Sequence, residues 1–412
     1  MIRILTWLLA SPRFKRVALG WLLAAVTTTV VVVEQRDIGI ARDEMVYVGS
    51  GSHYADWWLG KWSSLGTLSK ADITRAFGGP GATDNNREHP PLMKTLFGFS
   101  ERLLHDKLGI ASELTAYRFP SAVMAGVLVL LVFLFVLEVW GLAAATIAAL
   151  LTMLLPRALF HAGLAAFDAP MTTLWFATVY AYWRSIDVRP DRRRRWPWQV
   201  GVMFGLALAT KHNAILLPFA LVPHLLFVAW RTRGHALDRV RVLVSLLVLG
   251  PLVLVAVWPW LWFDTIQHVR EWLGFHMTHV HYNFEYLGHN WNAPRFPWHV
   301  ALVTTLFTVP VATLAAAVFG VVAVLRERAS GTDQQRAPAI LLFLSAGVSI
   351  GPFVLGSTPI FGAEKHWAPA IPAFCIAAGI GAVWVTKLAA AYVASRRPAR
   401  RHVQGVVLGV VG

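Results

Sequence analysis

Ten apolar runs, most of them near the length that crosses a bilayer, recur along this chain of 412 residues. They fall at about 17–33, 119–140, 142–156, 169–183, 197–210, 214–230, 242–262, 298–325, 339–357 and 367–389. A hydrocarbon core of roughly 30 Å takes about 20 apolar residues in helical form, and a helix satisfies its own backbone where no water can. The runs predict an all-α polytopic membrane protein with about 10–11 transmembrane helices. The eleventh would be the tail at 402–412, which reads as the start of a further span cut short. No small-residue cleavage site follows the first run, so a retained signal-anchor is expected rather than a cleaved leader.

The charges set the orientation. Arg3, Arg13, Lys15 and Arg16 precede the first run, and arginines crowd the short connections at 184–195, 231–241, 326–336 and 396–401. The alternate connections hold only Arg157, Lys211, Lys365 and, in the longer 263–297 segment, Arg270 and Arg295. Basic residues stay on the cytoplasmic side. Residues 1–412 are therefore expected to form a single membrane domain, with 34–116 and 263–297 as its first and second extracytoplasmic loops. The net charge of +15 resides in those arginine loops and does not imply nucleic acid. The single cysteine, Cys375, excludes an intramolecular disulfide and a cysteine zinc cluster.

Within 34–116, Pro90-Pro91 precedes Leu92, Leu96, Phe99, Leu103 and Leu104 at helical spacing. This pattern predicts an amphipathic helix at the membrane surface. On the same predicted face stand Asp43 and Glu44, His89 and Lys94, Asp168, Lys211 and His212, His276 through Glu285, and Glu364, Lys365 and His366. Ionisable groups at membrane depth are costly, so their convergence marks a candidate site.

Each group has a plainer reading. Asp43 and Glu44 are either a general base with its neighbour or interfacial acids paired to Arg36 or Arg42. Lys94 would neutralise an anion beside a helix start or simply be exposed. Arg118 suits a phosphate through its fork or snorkels to headgroups. Lys211 would hold a phosphate ester or anchor the interface. His276 and His279 would share a helix face. A divalent cation there is left open, but the spacing is loose. An acceptor- or sugar-binding surface that includes Glu285 is favoured, and no metal ligand set is assigned.

The order of these motifs resembles a known family. A first span, then Asp43-Glu44, then His89-Pro90-Pro91-Leu92-Met93-Lys94, then Arg118 opening the next span looks like the protein O-mannosyltransferases. It is similar also to their bacterial relatives, including the aminoarabinose transferases of lipid A. The resemblance implies the C-type glycosyltransferase fold, with amphipathic interfacial helices in the first outer loop. Asp43 would be the catalytic base with Glu44 beside it. Arg118 would bind the phosphate of a polyprenyl-phosphate sugar, with His89 and Lys94 lining the site. Apart from the resemblance, Lys211 is expected at the same phosphate, and His276, His279, Glu285, Lys365 and His366 at the acceptor or sugar. The chain has no counterpart of the soluble insertion of the eukaryotic enzymes or of the large C-terminal domain of some relatives, which bears on a protein acceptor.

The expected activity is inverting transfer of mannose or another hexose from a polyprenyl-phosphate donor to a hydroxyl of a protein, lipid or glycan. The expected place is the periplasmic face of a bacterial inner membrane, among membrane lipids. The rival is a transporter or flippase for a lipid-linked solute; a non-catalytic scaffold would not need Asp43. No internal repeat supports the transporter.

Overall fold

The computed structural model describes residues 12–62, 64, 68–78, 86–186, 196–232, 236–327, 333–360 and 362–396. The basic run at 187–195, Arg233, Arg328, the residues before 12 and the tail at 402–412 lie outside the described residues.

Helix α1 (Pro12–Glu34) is followed by three helices in the predicted first loop: α2 (Arg42–Lys61), α3 (Lys70–Phe77) and α4 (Leu92–Glu101), the last extended by a π-helical turn to Lys107. The bundle continues with α5 (Glu113–Val139), α6 (Leu142–Leu154), the short α7 (Pro156–Ala162), α8 (Asp168–Ile186), α9 (Trp196–Leu208) and α10 (Leu217–Arg231). Then come α11 (Ala236–Val257) and α12 (Thr265–Met277). A hairpin of β1 (Phe284–Tyr286) and β2 (His289–Trp291) follows, paired antiparallel with Glu285 opposite Asn290. The last described elements are α13 (Val300–Thr308), α14 (Val311–Glu327), α15 (Asp333–Val354) and α16 (Ile371–Arg396).

Each expected span coincides with a helix or a bent pair of helices. Among the described residues six helices are long and apolar enough to cross a membrane, and up to eight spans result if each of two bent pairs counts as one. The bends have a local cause. Leu155 precedes Pro156 and Val309 precedes Pro310, and a residue before proline is pushed from helical to extended backbone. Both are extended, and the axes turn by 64° at α6–α7 and by 116° at α13–α14.

Helices α8 and α9 are not among the candidate spans. The sequence of α8 explains its case. It carries Thr172, Thr173, Thr178, Tyr180, Tyr182, Arg184 and Ser185, nearly all buried. It is the central helix, touching protein on every side, so it can hold polar groups that lipid would reject. The Trp175 indole donates to Ser345 Oγ at 2.8 Å, and Tyr182 Oη lies 2.8 Å from His224 Nδ1.

Small residues let helices cross closely. A Cβ added to Gly320 in α14 would stand 1.8 Å from the Ala377 carbonyl oxygen in α16. The helices of the first loop dock on the end of the bundle: Tyr54, Ile73 and Phe77 share a core with Trp175, Trp258, Trp260 and Leu261.

Candidate active site

The start of α2 sends two adjacent carboxylates to opposite fates. Successive helical side chains diverge by about 100°. Glu44 turns inward and is 1% exposed, while the Asp43 side chain stays 36% exposed. Glu44 accepts four hydrogen bonds: from Arg118 Nε (2.8 Å) and Ala165 N (2.7 Å) at Oε1, and from Arg118 Nη2 (2.7 Å) and Ala41 N (2.9 Å) at Oε2. Arg118 donates further to the carbonyls of Gln35, Ile38 and Gly39. With every N–H of its guanidinium engaged, Arg118 clamps the chain between α1 and α2 and offers nothing to a phosphate. Glu44, likewise saturated, is a structural partner. Both residues depart from their expected roles, because a fork–carboxylate pair is strong when buried and fully hydrogen-bonded.

Asp43 faces a cavity of about 120 Å³ at this end of the bundle. Arg42 Nε lies 3.3 Å from its Oδ1 and Lys365 Nζ 3.3 Å from its Oδ2. Across the cavity Lys211 donates to Asp168 Oδ1 at 2.7 Å, both nearly buried. Phe167, Phe353, Tyr47 and Asn213 complete walls that also carry His89, His212, His276, His279 and His366. The exits of five different expected spans thus meet at one cavity.

His89 reaches the site because α4 lies hard against α2. A Cβ on Gly98 would stand 2.1 Å from the Gly51 carbonyl oxygen. Leu92 N also donates to the Ala209 carbonyl at 3.2 Å, tying this segment to the Lys211 turn. His212 and His276 stack at 3.6 Å between centroids, and His276 Nε2 lies 3.1 Å from the Glu88 carbonyl oxygen. Burial, helped by the charges of Lys94 and Lys211, pushes the His89 imidazole well below its usual range. Burial lowers His276 to about 4. Both are neutral at pH 7. The Tyr47 hydroxyl is pushed up by burial and by the Asp43, Asp168 and Glu88 charges, so it stays protonated as a donor. His89 Nδ1, His212 Nδ1 and Asn213 Oδ1 are buried with no hydrogen-bond partner among the described residues. Such orphans on a cavity wall are what a polar ligand would satisfy.

Two more expected site residues lie elsewhere. Lys94 is fully buried under α2, donating to the Asn86 carbonyl at 2.7 Å with Nζ 5.6 Å from the Tyr54 ring centre. It is not among the residues that line the cavity. Glu285 sits exposed on β1, away from the cavity lining. His276 and His279 do not share a helix face, since α12 ends at Met277; both still line the cavity. Asp168, Tyr47, His212 and Asn213 are lining residues that sequence reasoning left without a role. For Asp168 and His212 the signal was their place on the converging face.

A second, apolar cavity of about 60 Å³ lies where the two bent pairs meet, walled by Leu155, Ala158, Val309 and Ile371, with Arg157, His161 and Asp168 as its charged or titratable residues. Non-helical backbone at membrane depth is tolerated where it lines such a space. Among the described residues Glu101, His105 and Asp106 stand close enough together to hold a cation. Arg102 already bonds to Glu101 and Asp106 there.

Residues 88–262 match the family model of the dolichyl-phosphate-mannose-protein mannosyltransferases. No curated protein sequence is detectably similar to the chain. Among solved structures, ArnT from Cupriavidus metallidurans in the apo state matches at 17% identity and a TM-score of 0.58, over 93% of this chain and 66% of ArnT. ArnT bound to undecaprenyl phosphate matches at 16% and 0.59, over 95% and 68%. The archaeal oligosaccharyltransferase AglB from Archaeoglobus fulgidus, in complex with an inhibitory peptide and a dolichol-phosphate, matches at 12% and 0.53, over 92% and 52%. The chain spans about two thirds of ArnT and about half of AglB. Residues 88–262 thus resemble the dolichyl-phosphate-mannose-protein mannosyltransferase family, and the chain is an integral membrane protein with the C-type glycosyltransferase fold.

Proposed function

We propose that the chain is a glycosyltransferase that moves a sugar from a polyprenyl-phosphate donor to a hydroxyl acceptor, with Asp43 as the general base. One observation carries this reading. At the start of α2, Glu44 is locked in a saturated clamp while its neighbour Asp43 stands half-open at a polar cavity beside Lys365. A general base needs such a fixed, reachable position.

In the step proposed, Asp43 takes the acceptor O–H proton as the acceptor oxygen bonds to the anomeric carbon. The bond from that carbon to the phosphate oxygen breaks, its electron pair leaving with the lipid phosphate, and configuration inverts. Lys211 and Lys365 offset the growing phosphate charge. The neutral His89 and the Tyr47 hydroxyl hold sugar hydroxyls. The apolar cavity beside Asp168 supports a lipid chain. Neighbours solved with undecaprenyl phosphate and with a dolichol-phosphate support the donor class. We read the sugar as mannose or another hexose, and the acceptor as a protein serine or threonine, a lipid or a glycan. The arginine-rich connections support a periplasmic placement of this face in a bacterial inner membrane. No step requires a bound cation, and the need for one is a matter for chelation: turnover unchanged in EDTA is expected.

The test is the purified chain with labelled polyprenyl-phosphate mannose and a panel of hydroxyl acceptors. Release of polyprenyl phosphate with labelling of an acceptor is expected, and Asp43→Asn should abolish it. The two bent spans give a flippase some support, since broken helices serve transport. Movement of the lipid-linked sugar across vesicles without bond cleavage would favour that reading.

A further inference from the structure

The turn before α16 reaches in two directions. Gly362 and Ala363 both have positive φ, at 78° and 51°, and the 3-10 turn Ala363–His366 starts from that reversal. Glu364 points back to α7, where its Oε1 accepts from Arg157 Nε and lies 3.4 Å from His161 Nε2. The next residue, Lys365, reaches the other way to Asp43. Its stem lies across Gly362, where an added Cβ would stand 2.4 Å from Lys365 Cε. The backbone reversal and the lysine's course are therefore one arrangement.

What holds the turn from behind is Glu364. Its side chain is 5% exposed, while that of Arg157 is 48% exposed. Burial pushes the Glu364 carboxyl up, but hydrogen bonds from His161 and Arg157 more than offset this and hold it down to about 2. It is ionised at any working pH, and a buried ionised carboxylate resists losing its partner.

We propose that Glu364 is a positioning residue: paired with Arg157, it holds the 362–366 turn so that Lys365 stands against Asp43. The importance of that contact for turnover rests on the reading of Asp43 as the base. The contact itself does not.

A carbodiimide can test it without substrate. It activates the Asp43 carboxylate as an O-acylurea, the Lys365 amine displaces the urea, and an amide joins the two residues only where they touch. Peptide mass analysis of the full chain in detergent reads the product. The exposed Lys70–Asp264 pair gives an internal reference product. Glu364→Gln and Arg157→Gln should each lower the 43–365 product severalfold against the 70–264 product, and Arg157→Lys should retain most of it. An undiminished yield in both glutamine variants overturns the proposal. Should Glu364→Gln misfold, the reference product falls with it, and the half-exposed Arg157→Gln then decides alone. In turnover, Glu364→Gln should lower kcat roughly tenfold at unchanged donor KM, as expected of a misplaced rather than missing group. A raised donor KM at unchanged kcat overturns the role as well. Cross-linking in a wild-type chain that turns over no polyprenyl-phosphate sugar would reject the enzymatic reading of Asp43 while leaving the positioning intact.

Discussion

The clamp at Glu44–Arg118 and the cavity at Asp43 lie side by side, yet they treat polar atoms in opposite ways. In the clamp every donor of Arg118 and both oxygens of Glu44 are bonded. Around the cavity, His89 Nδ1, His212 Nδ1 and Asn213 Oδ1 are buried and find no partner among the described residues. A saturated network fixes a backbone and has nothing left to bind with; an unsaturated one carries a desolvation cost that a ligand can relieve. Charge at membrane depth is therefore not by itself a sign of catalysis.

The largest effect should appear on the open side. Asp43→Asn should lower turnover by roughly 10²–10⁴-fold, the usual span for a lost general base, with the thermal midpoint in detergent nearly unchanged. Near-wild-type turnover would remove Asp43 from the base role, and a collapse of stability would move it to the clamp side of the comparison.

On the closed side the pattern should reverse. Arg118→Met strands a buried carboxylate and three carbonyls, at a cost of about 3–5 kcal/mol. Equilibrium unfolding or yield of folded protein would show it, and Arg118→Met with Glu44→Gln should recover part of the loss. If Arg118→Met instead folded normally and only weakened polyprenyl-phosphate binding, the phosphate role would return to Arg118. Lys94→Met should cost less, about 1–3 kcal/mol, the usual penalty for stranding one buried polar partner, here the Asn86 carbonyl. Donor KM should stay unchanged, since Lys94 lies under α2.

Much of this was legible in the sequence, for identifiable reasons. Long apolar runs report on lipid directly, so each run could be matched to a helix or a bent pair, and the residues that converge on the cavity could be read. Helix α8 was found despite its threonines and tyrosines, although its central position is invisible to a hydropathy pattern that records only apolar against polar. The split between Asp43 and Glu44 was beyond composition. Two adjacent acids are chemically alike, and what separates them is the rotation of one helical residue and the Ala165 N–H waiting on one side. Lys94 was expected to face the donor phosphate because the Gly51–Gly98 crossing that covers it joins segments far apart in sequence. The Arg157–Glu364 pair spans two connections that no local motif links.

The smallest expected effect concerns the histidine wall, and its sign can be worked out. Burial lowers His276 to about 4 in the folded chain, against roughly 6.5 for an unfolded histidine. Between those values the unfolded state binds a proton that the folded state refuses, so stability rises with pH across that window. The contribution is complete above about pH 6.5 and drains as pH falls toward 4. Amide hydrogen exchange in α12, corrected for its intrinsic pH dependence, should show protection weakening from pH 7 to pH 4.5. His276→Asn cannot titrate and should flatten part of that slope; the rest belongs to His89 and His212, whose imidazoles burial also holds neutral. An identical slope in wild type and variant would mean that His276 is already solvated, and that the stacked pair it forms with His212 belongs to neither side of the comparison.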